Sequence, residues 1–359
     1  MSRLRLLFVS TPVGPLGSGL GGGVELTLLN LGQALRKRGH GVTVLAPAGS
    51  VLGEIPVVGL SGELQPTAHT QGRDTPITLP PNGVLGQMWD YARQHQGNFD
   101  LIVNFAYDWL PFYLTPFFQT PVAHFVTMAS LSDALDGAVQ RVAAQFPGRL
   151  GAYTRTQADT FGCGEAFAIL SSAIDLGAYQ FCPTPGDALA WLGRISPEKA
   201  LEDALEAAEM AQVPLKILGK LEDKTYWQGL CQRFPQAEAS YLGFLPTQDL
   251  QAVVGQCRAL VMTPRWVEAF GNVAIEALAC GVPVIAYDRG GPREIVQSGT
   301  TGWLVPPDDV GALAEAMQRI DALDRWACRR QAEADYSLPA LGERFESWFN
   351  HLLAYPCDR

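Results

Sequence analysis

The chain has 359 residues, a length of about two domains. Hydrophobic residues make up 47% and charged residues 17%, which excludes a disordered or fibrous chain. The formal net charge is −10 and there is no basic run. That argues against nucleic-acid or anionic-membrane binding, because both need clustered Lys and Arg.

Seven cysteines, Cys163, Cys182, Cys231, Cys257, Cys280, Cys328 and Cys357, are scattered, without a CxxC. An odd, dispersed set is neither a disulfide framework nor a zinc site. The five histidines show no metal-ligand spacing, so no metal site is expected. The apolar run Leu6–Val9 is too short for a signal peptide and reads as a buried strand. Leu101–Phe118 is apolar but holds Asn104, Asp108, Pro111 and Pro116, so it is not a membrane span. A cytoplasmic protein without stable membrane association is the expectation.

In chain order, Leu4–Val9 reads as a strand and Val24–Arg38 as a helix, with Val24, Leu28, Leu31 and Leu35 on one face and Gly39 beyond its end. Val42–Ala46, Leu101–Asn104 and Val122–Val126 read as further strands, with helices near 85–96 and 131–145. After Pro183-Thr-Pro-Gly186, the best candidate linker, the pattern restarts. Strand Leu189–Leu192, helix Pro197–Ala211, strand Leu215–Leu218, helix Asp223–Phe234 and strand Ser240–Leu242 follow. Helix Thr247–Cys257, strand Ala259–Met262, helix Asn272–Cys280 and strands Val282–Ala286 and Gly302–Val305 complete it. The alternation implies two doubly wound α/β lobes with parallel sheets. Ligands are then expected beyond the carboxyl ends of strands, in a cleft between the lobes. The expected domains are 1–175, 176–337 and an amphipathic C-terminal helix in 338–359 that packs back on the first lobe.

Gly17-Ser-Gly19-Leu-Gly21-Gly22-Gly23 contains a GxGxxG match. Two features oppose a dinucleotide site. The first glycine comes well after the strand, and the second strand ends Leu45-Ala46-Pro47 with no acidic residue for a ribose. A nicotinamide-dependent oxidoreductase built on this loop is therefore the remote alternative. The loop is either a plain connection or a floor where backbone N–H groups meet an anion or sugar. Glu25, one turn into the helix, is either a polar contact or favourable to the helix dipole.

In Leu192-Gly-Arg-Ile-Ser-Pro-Glu-Lys199, Ser196 and Pro197 look like the start of a helix. Arg194 and Lys199 would then oppose its dipole, which is unfavourable unless they are solvated or face a bound anion. In the apolar helix after Phe270-Gly271-Asn272, Glu276 is the only charge. A buried carboxylate needs partners. Paired ligand hydroxyls would satisfy it, as would solvent or a neighbouring Arg. Glu268 precedes that helix, whose first N–H groups are free to meet a ligand.

These residues resemble those of the retaining nucleotide-sugar glycosyltransferases of family four, which have the GT-B fold. The likeness runs through Gly21-Gly-Gly-Val-Glu25, Ala34 to Val44, Ser172-Ala-Ile-Asp175, Gly193-Arg194 with Glu198-Lys199, and Glu268 with Glu276. It continues through Ala279-Cys-Gly-Val-Pro283, Gly290-Gly-Pro-Arg-Glu294 and Thr301-Gly302. The usual Asn-Gly of the inter-domain turn is replaced here. The resemblance implies that Arg194 and Lys199 hold the β-phosphate, Glu268 accepts from hexose hydroxyls, and Glu276 binds the ribose. Phe270, Gly271 and Asn272 would present backbone groups to the donor, with Gly22 and Gly23 beside it. It implies a metal-independent, front-face reaction with no protein nucleophile and no cofactor. One departure is the family's first-lobe His. The position usually occupied is Thr127, and His124 is either its substitute in catalysis and acceptor binding or an ordinary strand residue.

Residues 99–125 hold nine aromatics, explained by a core or by an acceptor site in which Asn104, Tyr107 and Asp108 meet a flat heteroaromatic ring. Glu25 and His124 would complete it. The run Phe8 to Thr27 resembles the tetrahydrobiopterin glucosyltransferases within that family. This implies UDP-glucose as donor and a reduced pterin as acceptor. A different sugar or lipid acceptor is the alternative.

Overall fold

The computed structural model describes residues 3–18 and 22–354. The chain divides into two compact units, Met1–Ala173 with Leu338–Arg359, and Ile174–Ser337. The Pro183–Gly186 segment is not the boundary. It lies inside the second unit, where Gly186 N donates to Gln256 O at 2.7 Å.

Among the described residues the first unit has a seven-stranded sheet. Its strands are β1 (Arg5–Val9), β2 (Gly41–Pro47), β3 (Val57–Leu60), β4 (Leu101–Asn104), β5 (Val122–Val126), β6 (Leu150–Ala152) and β7 (Phe167–Ile169). Their spatial order is β3-β2-β1-β4-β5-β6-β7, and every pairing is parallel. The central strands β1, β4 and β5 are apolar nearly throughout because helices cover both faces. The short strands β3, β6 and β7 escape a periodicity reading. Each carries three or four residues, too few for a pattern, and is held by its neighbour's backbone.

The C-terminal helix, Leu338–Ala354, belongs to this unit and packs on the Gly23–Lys37 helix. Gly342 comes against Ala34 and Arg38, Phe345 meets Phe125 at 5.1 Å, and Trp348 Nε1 donates to Gly148 O at 2.8 Å. The buried Glu346 carboxylate receives Arg38 and His40, so the apolar stripe is pinned by a paired charge.

The second unit has five described strands: β8 (Leu189–Leu192), β9 (Leu215–Leu218), β10 (Leu260–Met262), β11 (Val284–Tyr287) and β12 (Gly302–Val305). They run parallel in the order β12-β11-β10-β8-β9. The strand expected at Ser240–Leu242 is absent. A short helix, Ala237–Ser240, leads into a single bridge from Tyr241 to Ile217. The helix expected from Pro197 is also split. Pro197–Lys199 is one 3₁₀ turn, Ala200 is left-handed at φ 45°, and the α-helix starts at Leu201. Both units are thus parallel α/β lobes.

Candidate functional site

The second unit carries the densest polar cluster on the residues singled out in the sequence. β8 ends at Leu192 and releases Gly193-Arg194. The 3₁₀ turn then presents Lys199. This turn is held from outside its own segment: Thr263 Oγ1, just past β10, lies 3.0 Å from the Lys199 carbonyl and 2.8 Å from that of Ala200. Trp191 Nε1 donates to the same hydroxyl at 3.2 Å. Lys199 therefore precedes the α-helix rather than sitting in its first turn, and Ser196 Oγ donates to Glu198 instead of capping. The unfavourable-dipole argument for these two cations does not hold.

The ends of β8 and β10 bring Arg194, Lys199, Trp266 and Glu268 together. Lys199 Nζ donates to Glu268 Oε2, and Trp266 Nε1 donates to the same oxygen at 3.0 Å. Both cations lie against the Trp266 ring, Lys199 at 5.1 Å and Arg194 at 5.7 Å from its centroid. Burial alone would raise the Glu268 carboxyl, but Lys199, Trp266 and Arg194 together hold it below its ordinary value, so it is ionised. Arg194 also pairs with Glu198 at 3.0 Å and Glu222 at 2.5 Å. The expected cationic point is therefore compensated: Glu198, Glu222 and Glu268 face Arg194 and Lys199.

Glu268 is positioned through its backbone. Its carbonyl accepts from Gly291 N at 2.7 Å. Gly290 sits at φ 66°, and a Cβ there would lie 2.5 Å from Glu268 N, so a side chain would displace the Glu268 backbone. Gly271, at φ 98°, turns the chain into the Asn272–Ala279 helix, and a Cβ there would press on Met262 at 2.9 Å. Phe270, Gly271 and Asn272 thus form the entry to that helix, as the sequence suggested. Asn272 Oδ1 is buried without a hydrogen-bond partner.

Glu276 stands on the same helix among fully buried neighbours, Ile275, Ala277 and Leu278. Burial pushes its carboxyl up to about 7, partly offset by the Tyr179 hydroxyl, which donates to Oε1 at 3.0 Å. Glu276 is half-buried, and the Tyr179 hydroxyl, not an Arg, is the partner of its carboxylate among the described residues.

The first-unit residues do not gather in the same way. His124 has no exposed surface; its Nε2 meets Thr115 Oγ1 at 2.8 Å and its Nδ1 lies 3.3 Å from Asn104 Nδ2. Its ring stacks on Phe112 at 4.2 Å. Burial drops it to about 3, so it is neutral. His124 is an ordinary strand residue, and its catalytic and acceptor-binding roles are withdrawn. Asn104 is withdrawn as an acceptor contact for the same reason: it is 1% exposed and bonds the Ala106 backbone in both directions.

Tyr107 Oη accepts from Leu131 N at 2.7 Å, and Asp108 caps the Trp109–Leu114 helix by accepting from Leu110 N at 3.0 Å. Both remain half-buried. Glu25 Oε2 accepts from Gly17 N at 2.8 Å, tying the glycine-rich loop to the first helix. Gly22, at φ 56°, precedes Gly23 at the helix start, whereas Gly19 and Gly21 lie outside the described residues.

Trp266, Tyr179 and Glu222 were missed by sequence reasoning. Trp266 stands two places before Glu268, a signal that was there to use. Tyr179 and Glu222 reach their partners only through the fold.

Residues 184–334, a span inside the second unit, match the family model for glycosyl transferases group 1. A D-inositol 3-phosphate glycosyltransferase of Mycobacterium leprae is 35% identical over 174 residues, covering 47% of this chain and 40% of its own. A glycogen synthase of Mycobacterium tuberculosis is 30% identical over 187 residues, covering 49% and 45%. The chain thus spans less than half the length of these curated relatives. Among solved structures, Anabaena HepE in complex with UDP has a TM-score of 0.76 at 19% identity, covering 97% of this chain and 100% of that one. AviGT4, a glycosyltransferase involved in avilamycin A biosynthesis, has a TM-score of 0.71 at 18% identity, covering 98% of each chain. The fold is that of the GT-B glycosyltransferases.

Proposed function

We propose that this chain is a retaining glycosyltransferase that moves a hexose from a nucleotide sugar, UDP-glucose, to a small acceptor, a reduced pterin of the tetrahydrobiopterin type. One observation carries the enzyme class. The Arg194–Trp266–Lys199–Glu268 cluster, with Glu276 on the next helix, lies in the segment that matches group 1 glycosyl transferases. In this reading the donor diphosphate takes Arg194 and Lys199, which stabilise the charge of the departing group. Glu268, kept ionised, accepts from hexose hydroxyls. The Phe270–Asn272 turn offers backbone groups to sugar and phosphate, and Glu276 accepts from the ribose hydroxyls. The anomeric C–O bond to phosphate breaks as the bond to the acceptor forms on the same face. The acceptor's proton passes to the leaving phosphate oxygen. No protein nucleophile takes part, and by the family resemblance no metal or other cofactor does either.

The pterin acceptor is supported by the resemblance of the Phe8–Thr27 run and by the aromatic density of residues 99–125. With Asn104 and His124 in the core, its contacts narrow to Glu25, Tyr107 and Asp108. A cytoplasmic setting is supported by the scattered free thiols. Among the described residues no helix is long and apolar enough to cross a membrane.

The test incubates the purified protein with UDP-glucose and tetrahydrobiopterin. UDP release and a pterin glycoside with an α-anomeric proton are expected. An absence of UDP release with every acceptor would overturn the reading. Transfer to inositol phosphate, the acceptor in a relative's name, would replace the pterin and keep the reaction.

A further inference from the structure

The connection entering the second unit runs along the helix that bears Glu276. Cys182 N donates to Cys280 O at 3.0 Å, and Gln180 N donates to Gln251 Oε1 at 3.1 Å. Arg329 Nη1 bonds both the Tyr179 carbonyl, at 3.0 Å, and the Ala279 carbonyl, at 2.7 Å. One guanidinium therefore locks the Tyr179 backbone to the end of the Glu276 helix. The Tyr179 side chain is 5% exposed, and its hydroxyl donates to Glu276 Oε1 at 3.0 Å. Among the described residues Tyr179 is the only hydrogen-bond partner of the Glu276 carboxylate.

We propose that Tyr179 is a positioning residue for nucleotide recognition: by holding Glu276 Oε1 it turns the carboxylate so that Oε2 is presented to the ribose hydroxyls of the donor. The inference rests on the ribose reading of Glu276 given above. A carboxylate at the end of a glutamate rotates broadly about its last torsion. Packing of a neutral ring does not select one rotation, whereas a hydroxyl on one oxygen does. The hydrogen bond is made within the protein before the nucleotide arrives, so the ordering cost is removed from the binding step.

The experiment titrates UDP and 2′-deoxy-UDP by calorimetry onto the full chain, Tyr179→Phe and Glu276→Ala. Phe keeps the buried ring and removes only the hydroxyl. Wild type is expected to prefer UDP. Tyr179→Phe should bind UDP about three- to ten-fold more weakly, the scale of freeing one immobilised side chain, while its affinity for 2′-deoxy-UDP, which keeps only the 3′-hydroxyl, falls by clearly less. In turnover, KM for UDP-glucose should rise with kcat held within about two-fold, as loss of uniform binding requires. Equal weakening of both nucleotides, or of neither, while wild type still discriminates, would overturn the role of Tyr179 and leave Glu276 as the ribose ligand. If wild type and Glu276→Ala both bind UDP and 2′-deoxy-UDP alike, the ribose reading itself fails and this inference falls with it.

Discussion

Two polar clusters at strand ends carry opposite meanings. Arg194, Lys199, Trp266 and Glu268 gather past β8 and β10, half-buried and charged. Asn104, Thr115 and His124 gather around β4 and β5, fully buried and neutral. The first keeps charges in exchange with solvent, where a ligand can replace their partners. The second has its hydrogen-bonding capacity spent inside the core, and burial has removed the one charge it could have held. Polar residues after a strand mark a site only where they keep both access and charge.

That contrast can be broken at its strongest point. Lys199→Ala should cut turnover of UDP-glucose about 10²–10³-fold, the usual cost of losing one charge-stabilising donor, and be read as UDP release. It should also melt below wild type, because the pair is only 19% and 15% exposed and Glu268 loses its cation, so turnover is compared per folded molecule. An unfolded Lys199→Ala protein with no loss per folded molecule would reverse the assignment.

His124→Ala should do the opposite. It takes one hydrogen-bond partner from each of Thr115 and Asn104 and opens a cavity, costing about 2–4 kcal/mol in denaturant titrations, while activity per folded molecule persists. The pH sign follows from burial. The folded-state value, about 3, lies below the ordinary 6.5. Stability from the neutral ring is complete above 6.5 and is lost as pH falls from there towards 3, at up to about 1.4 kcal/mol per pH unit. Urea midpoints between pH 7 and 4 should show this slope, and His124→Phe should lack it.

Glu276 sharpens the comparison within the proposed donor site. Its folded value of about 7 is raised by burial above the ordinary 4.5. Its contribution to stability is fully present below about 4.5 and is lost as pH rises through about 7. Nucleotide binding should run the other way, since the ionised carboxylate is the better acceptor. UDP affinity is expected to improve about three- to ten-fold from pH 6 to 8, and Glu276→Gln should flatten that profile and stabilise the unliganded chain at pH 8. Calorimetry and thermal melting at the two pH values separate the signs.

The smallest effect belongs to Glu222. Its bond to Arg194 competes with an incoming phosphate, so Glu222→Gln should tighten UDP about two- to three-fold at low salt, with the gain fading at 0.5 M as screening grows. Unchanged affinity at low salt would remove Glu222 as a competitor.

The order of strands and helices was legible wherever segments were long enough for a period: β1, the first helix, β4, β5 and the Asn272–Ala279 helix. It failed at β3, β6 and β7, which are too short, and at Ala200, whose left-handed turn is held by Thr263 from just past β10. Within the proposed donor site, Glu276 could be named because a charge in an apolar segment needs a partner. Arg194 and Lys199 were singled out by a helix-dipole argument that the split at Ala200 removes, and Glu268 by its place before the Asn272–Ala279 helix. In the first unit the same logic misread Asn104 and His124. A strand-end position says where a residue stands along the chain, not whether its polar atoms are already satisfied.

By itself, then, the sequence determined two parallel α/β lobes, a net acidic chain and the residue types of the proposed donor site, because periodicity and charge are properties of the chain. Only the tertiary structure decided that Glu198 and Glu222 compensate the cations, that Tyr179 holds Glu276, and that His124 is core. Those facts depend on which distant atoms meet and how much water remains between them, and neither is written in local order.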